Sequence, residues 1–206
     1  MKGVMKNNYF GTPGIFARPS KYLMGLSDGE CDYTLNGYPV WVEPIDSTEI
    51  LGLGNIFPNI PSMGLISPFC SELFDTRDRT KLIGYIILMP FEYNDDVKVY
   101  EFVLGHELGH ISNNHLSNTN GKILNDVNKE IEADHFSLTR YQNGYLSIDD
   151  CLIGINKIAE ISISSTIKNI PHLNKKYGNK IDQIVVRFMK YNKPFKKRLD
   201  AIYKLK

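Results

Sequence analysis

Two histidines stand four residues apart with a glutamate beside the first, in His106-Glu107-Leu108-Gly109-His110. On a helix, residues at that spacing lie about 40° apart around the axis, so both imidazoles project from one face toward one point. That geometry suits two ligands of a zinc ion, each nitrogen about 2.0–2.1 Å from the metal. Glu107 adjoins them and is placed to hold a water molecule and take its proton. A zinc centre of this kind needs a third protein ligand and one open coordination position.

The third ligand is sought on the next helical segment, Asn128-Lys129-Glu130-Ile131-Glu132-Ala133-Asp134-His135. Glu130 and Asp134 are one turn apart, beside an apolar stripe of Val127, Ile131 and Leu138. Glu132 lies about 200° round from Glu130, with Lys129 and Arg140 toward the solvated side. Helical geometry therefore selects Glu130 as the ligand. It leaves Asp134 to accept the free ring N–H of a liganding histidine, which fixes the tautomer. His115 falls half a turn outside the ideal face, His135 points away from Glu130, and His172 follows Pro171 in a loop, so all three read as surface or packing residues. Cys70 reads as an inert buried thiol in a loop rather than a ligand. An oxyanion formed at such a centre needs a further donor, and Arg198, Tyr141 and His172 are the candidates, among which the sequence does not choose.

These residues need elements to carry them. Asp95 or Asp96 can cap a helix from about Val97 to Leu116, and Asn125 or Asp126 a second one reaching about Tyr141. Ser147, with Asp150 three residues on, opens a third near Ile148 to Lys168, and two more follow near 180–191 and 195–205. Lys81 to Met89 is the best strand, a branched apolar run closed by Pro90, placed either as a core strand or as a sheet edge to which an extended peptide adds. Asn36-Gly37, between two β-prone runs, predicts a hairpin, and Leu51 to Cys70, with three prolines, predicts an irregular loop.

Composition sets the frame. The 206 residues are 42% hydrophobic and 23% charged, a soluble globular mix. Residues 1–90 hold 8 of the 10 prolines and 10 of the 16 glycines, which predicts strands and loops first and helices after. The net charge of +1 gives no electrostatic reason to expect nucleic acid or an anionic membrane surface as partner. No apolar run approaches the roughly 20 residues that span a bilayer, and no signal peptide is evident. Three widely spaced cysteines read as reduced thiols of a cytoplasmic protein.

The segment from Val103 to His115, followed by Glu130-Ile131-Glu132-Ala133-Asp134, resembles the zinc endopeptidases of the HtpX and type I CAAX prenyl protease family. The tail from Asn192 to Ile202, with Pro194 and Arg198, is similar to that family's closing segment. The ImmA/IrrE group of zinc proteins is a second resemblance, through its HELGH. The first covers about residues 80–206 and implies a zincin-like metallopeptidase; the whole chain, residues 1–206, reads as one α+β domain of that kind. In it a loop-rich part (1–80) precedes a strand and a helical part that hold Zn2+ through His106, His110 and Glu130. It also implies a protein or peptide substrate, with Glu107 as general base. The alternative from a different class is a zinc-binding regulatory or interaction module without turnover.

Overall fold

The computed structural model describes residues 31–45, 67–74, 78, 80–116, 126–141 and 144–206. Strands β1 (Tyr33–Leu35) and β2 (Tyr38–Ile45) form the antiparallel hairpin that Asn36-Gly37 predicts. Both turn residues have positive φ, 54° and 81°, as the tight two-residue turn demands. Strand β3 (Phe69–Phe74) pairs antiparallel with β4 (Leu82–Pro90), and β2 pairs parallel with β4, giving the order β1-β2-β4-β3.

Two expectations change here. The run Lys81 to Met89 is not an edge: β4 lies between β2 and β3, and Ile83 to Pro90 are all buried, which is why its sequence is continuously apolar rather than alternating. The region expected as loop up to Cys70 ends in a strand, with Cys70 inside β3; residues 51–66 of that region lie outside the described residues. Gly84 permits the sheet's closest approach, because a Cβ there would stand 2.6 Å from Trp41 Cζ3 and 2.8 Å from the Pro39 carbonyl.

A short 3-10 turn (Phe91–Tyr93) leads from β4 into α1 (Val97–Ser112). Asp96 caps α1, its carboxylate accepting from the backbone N–H of Lys98 at 2.9 Å and Val99 at 3.2 Å. Helix α2 (Val127–Thr139) is capped by Asp126, and α3 (Ile148–Asn169) by the reciprocal Ser147–Asp150 box read from the sequence. Three shorter helices follow: α4 (Pro171–Tyr177), α5 (Ile181–Tyr191) and α6 (Lys193–Tyr203). His172 therefore sits in the first turn of α4 and not in a loop, because Pro171 starts a helix as readily as it ends one.

Helix α1 is central. Phe102 to Ile111 are buried without interruption, between the sheet, α2 and α3. One apolar cluster runs from Val40 and Ile87 of the sheet through Phe102 and Leu108 to Ile155 of α3 and Ile202 of α6. A polar tie joins hairpin and helix: the Asn36 amide donates to the Ile111 carbonyl at 2.8 Å, beside the bond that carbonyl already accepts from the Asn114 backbone N–H at 3.1 Å. The architecture is thus mixed α+β, helix-rich with a small four-stranded sheet. Among the described residues no helix is long and apolar enough to cross a membrane, and Cys31, Cys70 and Cys151 are free thiols.

Candidate metal centre

The crossing of α1 with α2 decides whether residues on the two helices can share an ion. At Gly109 a Cβ would lie 2.9 Å from Ala133 Cα and 3.0 Å from its carbonyl oxygen. At Gly105 it would lie 2.5 Å from Ser137 Oγ, whose hydroxyl donates to the Phe102 carbonyl at 2.8 Å. Glycines at 105 and 109 face Ala133 and Ser137, one turn apart on each helix. This seam of small residues lets the two backbones approach more closely than ordinary side chains allow. The approach brings Glu130 over His106 and His110.

There, three ligand atoms converge. His106 Nε2 and His110 Nε2 are 3.1 Å apart, and Glu130 offers Oε2 at 3.4 Å to the first and Oε1 at 3.4 Å to the second. The edge of a tetrahedron with bonds of about 2.05 Å is about 3.3 Å, so the spacing fits one ion between the two imidazole nitrogens and the Glu130 carboxylate, which turns a different oxygen to each. Both histidines are buried and Glu130 half-buried, and the group can hold a metal ion.

What surrounds the triad fixes its protonation. His106 Nδ1 lies 2.9 Å from Asp134 Oδ1, so Nδ1–H donates to the carboxylate and Nε2 is the ring atom turned toward Glu130 and His110. Asp134 is fully buried and stays ionised because Arg198 grips it, Nε donating to Oδ2 at 2.8 Å and Nη2 to Oδ1 at 2.7 Å. The third guanidinium nitrogen, Nη1, reaches Glu130 Oε2 at 3.1 Å. Burial works against the charge on both carboxylates, yet Arg198 and the histidines hold Glu130 well below the ordinary range and Asp134 below it. Burial likewise opposes protonation of His106, but Asp134 and Glu130 outweigh it and push the metal-free imidazole up to about 10.

His110 has its own support. Its Nδ1 meets His115 Nδ1 at 3.0 Å, and His115 Nε2 meets Glu132 Oε2 at 2.9 Å. Burial first, then the neighbouring His110 and Lys129, lower the pKa of His115, so it is neutral with one N–H. That leaves one consistent assignment. His110 Nδ1–H donates to His115 Nδ1, His115 Nε2–H donates to Glu132, and His110 Nε2 is free for a metal. Sequence reasoning set His115 aside because it ran the helix to Leu116. The helix ends at Ser112, and Asn114, at φ 55°, turns the chain so that His115 folds back onto His110. The signal was present in Asn113-Asn114, a pair suited to ending a helix in the left-handed conformation. Glu132, placed on the solvated side, is indeed exposed and terminates this chain of contacts.

Glu107 is buried on α1 beside the triad, with the Cys70 thiol of β3 hydrogen-bonded to it. Burial, together with Glu107 and Glu130, keeps that thiol protonated. The three residues named for an oxyanion are placed differently. Arg198 has each guanidinium nitrogen directed at a carboxylate; Tyr141 packs at Gly105 and donates to Glu101; His172 is exposed on α4, which packs against α3. His135 is half-buried on α2.

Comparison with known proteins adds no relative to this geometry: no family model, curated protein or solved structure matches the chain.

Proposed function

We propose that the protein is a zinc-dependent peptidase that hydrolyses peptide bonds in a protein or peptide substrate. The observation that carries this reading is the convergence of His106, His110 and Glu130 with a buried carboxylate, Glu107, on the same helix turn. A two-imidazole, one-carboxylate set is a common ligand choice of hydrolytic zinc centres, which keep a fourth position open. When bound, zinc polarises a carbonyl and lowers the pKa of water to about 7.

The chain's own residues supply the rest. Glu107 takes the proton of the attacking water and delivers it to the departing amine. Asp134 and His115 hold the two imidazoles in the tautomer that leaves each Nε2 unprotonated. Arg198 fixes Glu130 and Asp134 together, so the carboxylate ligand does not swing away when the metal is absent. Of the two outer strands of the described sheet, β3 carries Cys70 against Glu107, and it is the edge on which an extended substrate adds.

Glu107→Gln tests the reading. The purified variant keeps its zinc, and its hydrolysis of an unstructured protein drops by about 10²–10⁴-fold, the usual contribution of a general base. Equal measurable rates in the two proteins would remove the proposed mechanism, and no hydrolysis by either would leave the module without turnover. Loss of zinc from wild-type protein on mild chelation, with recovery of activity on zinc addition, is the accompanying measurement.

A further inference from the structure

The net charge of +1 conceals a segregation. Residues 168–206 carry twelve Lys and Arg against two Asp, so the remainder of the chain is net acidic. The cations stand on helices whose inner faces are already occupied. In α5, Ile181, Ile184, Val185 and Phe188 pack against α3; in α6, Phe195, Leu199 and Ile202 join the core and Arg198 holds Asp134. Most of what faces outward is basic: Arg187 and Lys190 on α5, Lys193, Lys196 and Lys197 on α6, all exposed, against two exposed acids, Asp182 and Asp200. The two helices are joined at Asn192 and pack on each other, so their outer faces adjoin.

Apolar groups protrude among these charges. Val186 is 63% exposed, Tyr191 65% and Tyr203 55%. Lys190 lies over the Tyr191 ring, its ammonium 5.3 Å from the ring centre, an arrangement that presents ring and charge together. We propose that the outer face of the α5–α6 hairpin docks on a bilayer surface bearing anionic phospholipid. Three features select that occupant by charge complementarity and side-chain type. The cations are nearly all lysine, compact point charges that suit a diffuse layer of headgroups, whereas Arg187 is the single exposed arginine of the hairpin. Protruding Val186 has no use against a phosphate backbone but enters the headgroup boundary. Tyrosines sit at that boundary with ring buried and hydroxyl wet. A lone exposed arginine offers little forked reading of bases.

Docking in this orientation has a geometric corollary. Arg198 on the inner side of α6 touches Glu130, so the metal centre stands directly behind the docked face.

The test is sedimentation of the full chain with phosphatidylcholine vesicles, with or without phosphatidylglycerol, at low and high salt. Each lysine held near an anionic surface is worth about fivefold in partitioning. Binding is expected to the anionic vesicles alone and to fall as the Debye length shortens from about 10 Å at 0.1 M salt to about 3 Å at 1 M. The variant Lys190→Glu/Lys193→Glu/Lys196→Glu/Lys197→Glu, whose changes are all exposed, should lose binding by a hundredfold or more while its thermal unfolding is unchanged. Tyr191→Ser/Tyr203→Ser should weaken it about tenfold at fixed salt, a loss that a purely Coulombic contact would not show. Equal partition to neutral and anionic vesicles, undiminished binding by the fourfold variant, or capture by DNA or RNA with vesicles ignored would each overturn the proposal. None of these readouts depends on hydrolysis, so the docking and the peptidase reading stand or fall separately.

Discussion

Asp134 has no solvent exposure and carries a charge, a combination that survives only because Arg198 and His106 both donate to it. Its counterpart on the other imidazole is the neutral His115, backed by Glu132. Such partners of metal-binding histidines typically alter affinity by about 10–100-fold. His115→Leu should therefore weaken zinc binding by that order, and Glu132→Gln by less, because Glu132 is exposed and its carboxylate is screened. Competition titration against a chromophoric chelator measures both; unchanged affinity in His115→Leu would show that the His110–His115 contact does not tune the site. At this scale the sequence was legible wherever helix geometry alone places a side chain. His106, Glu107 and His110 share one helix, and Glu130 and Asp134 another, so spacing determines their common face. His115 was opaque because its position depends on where α1 stops and on the backbone of Asn114.

Between elements, the decisive contact is the seam of Gly105 and Gly109 against Ala133 and Ser137. Gly109→Ala inserts a methyl 2.9 Å from Ala133 Cα, where backbone rather than a movable side-chain tip must yield. The substitution raises intrinsic helix propensity yet should cost about 1–3 kcal/mol in chemical denaturation, because overpacking outweighs propensity here. Displacing α2 also moves Glu130, so zinc affinity should fall in parallel; a stability loss with affinity intact would separate the seam from the site. The helices carrying the candidate ligands were legible from their caps and periodicity. α4 was not, since a seven-residue helix opened by Pro171 has too few turns to declare a period. Strand β3 was also missed, and β4 was readable as core or edge. A single apolar run does not say how many neighbours a strand has, and the parallel β2–β4 pairing joins segments more than forty residues apart.

At the scale of the whole molecule, a metal held by the His106–His110–Glu130 triad would compete with protons for one buried cluster. In the metal-free protein His106 is raised to about 10 from an ordinary value of 6.5, so its contribution to stability is complete below pH 6.5 and is lost as pH rises through 10. Zinc must displace that proton, and its apparent affinity should fall by about tenfold per unit as pH drops below 10, through this group alone. Calorimetric titration near neutral pH in buffers of different ionisation enthalpy should register about one proton released from His106; no buffer dependence would contradict the protonated state. Zinc at about 100 times its dissociation constant should add about 2.7 kcal/mol to stability. The break in proline and glycine content near residue 90 does not mark a boundary between separate cores, for β4 is flanked by strands from before it and the shared cluster extends from Val40 to Ile202. The link from Arg198 back to Asp134 and Glu130 also bears on biosynthesis. A nascent chain has every residue of the triad in hand by residue 130, yet the cation that neutralises Asp134 emerges only near residue 198. A chain released before that point would bury an uncompensated carboxylate at a cost of about 3–5 kcal/mol, a large share of the 5–15 kcal/mol typical of a folded domain. Translation must pass Arg198 before the cluster is held in place, so products terminated ahead of it would fail to fold rather than circulate as unregulated fragments.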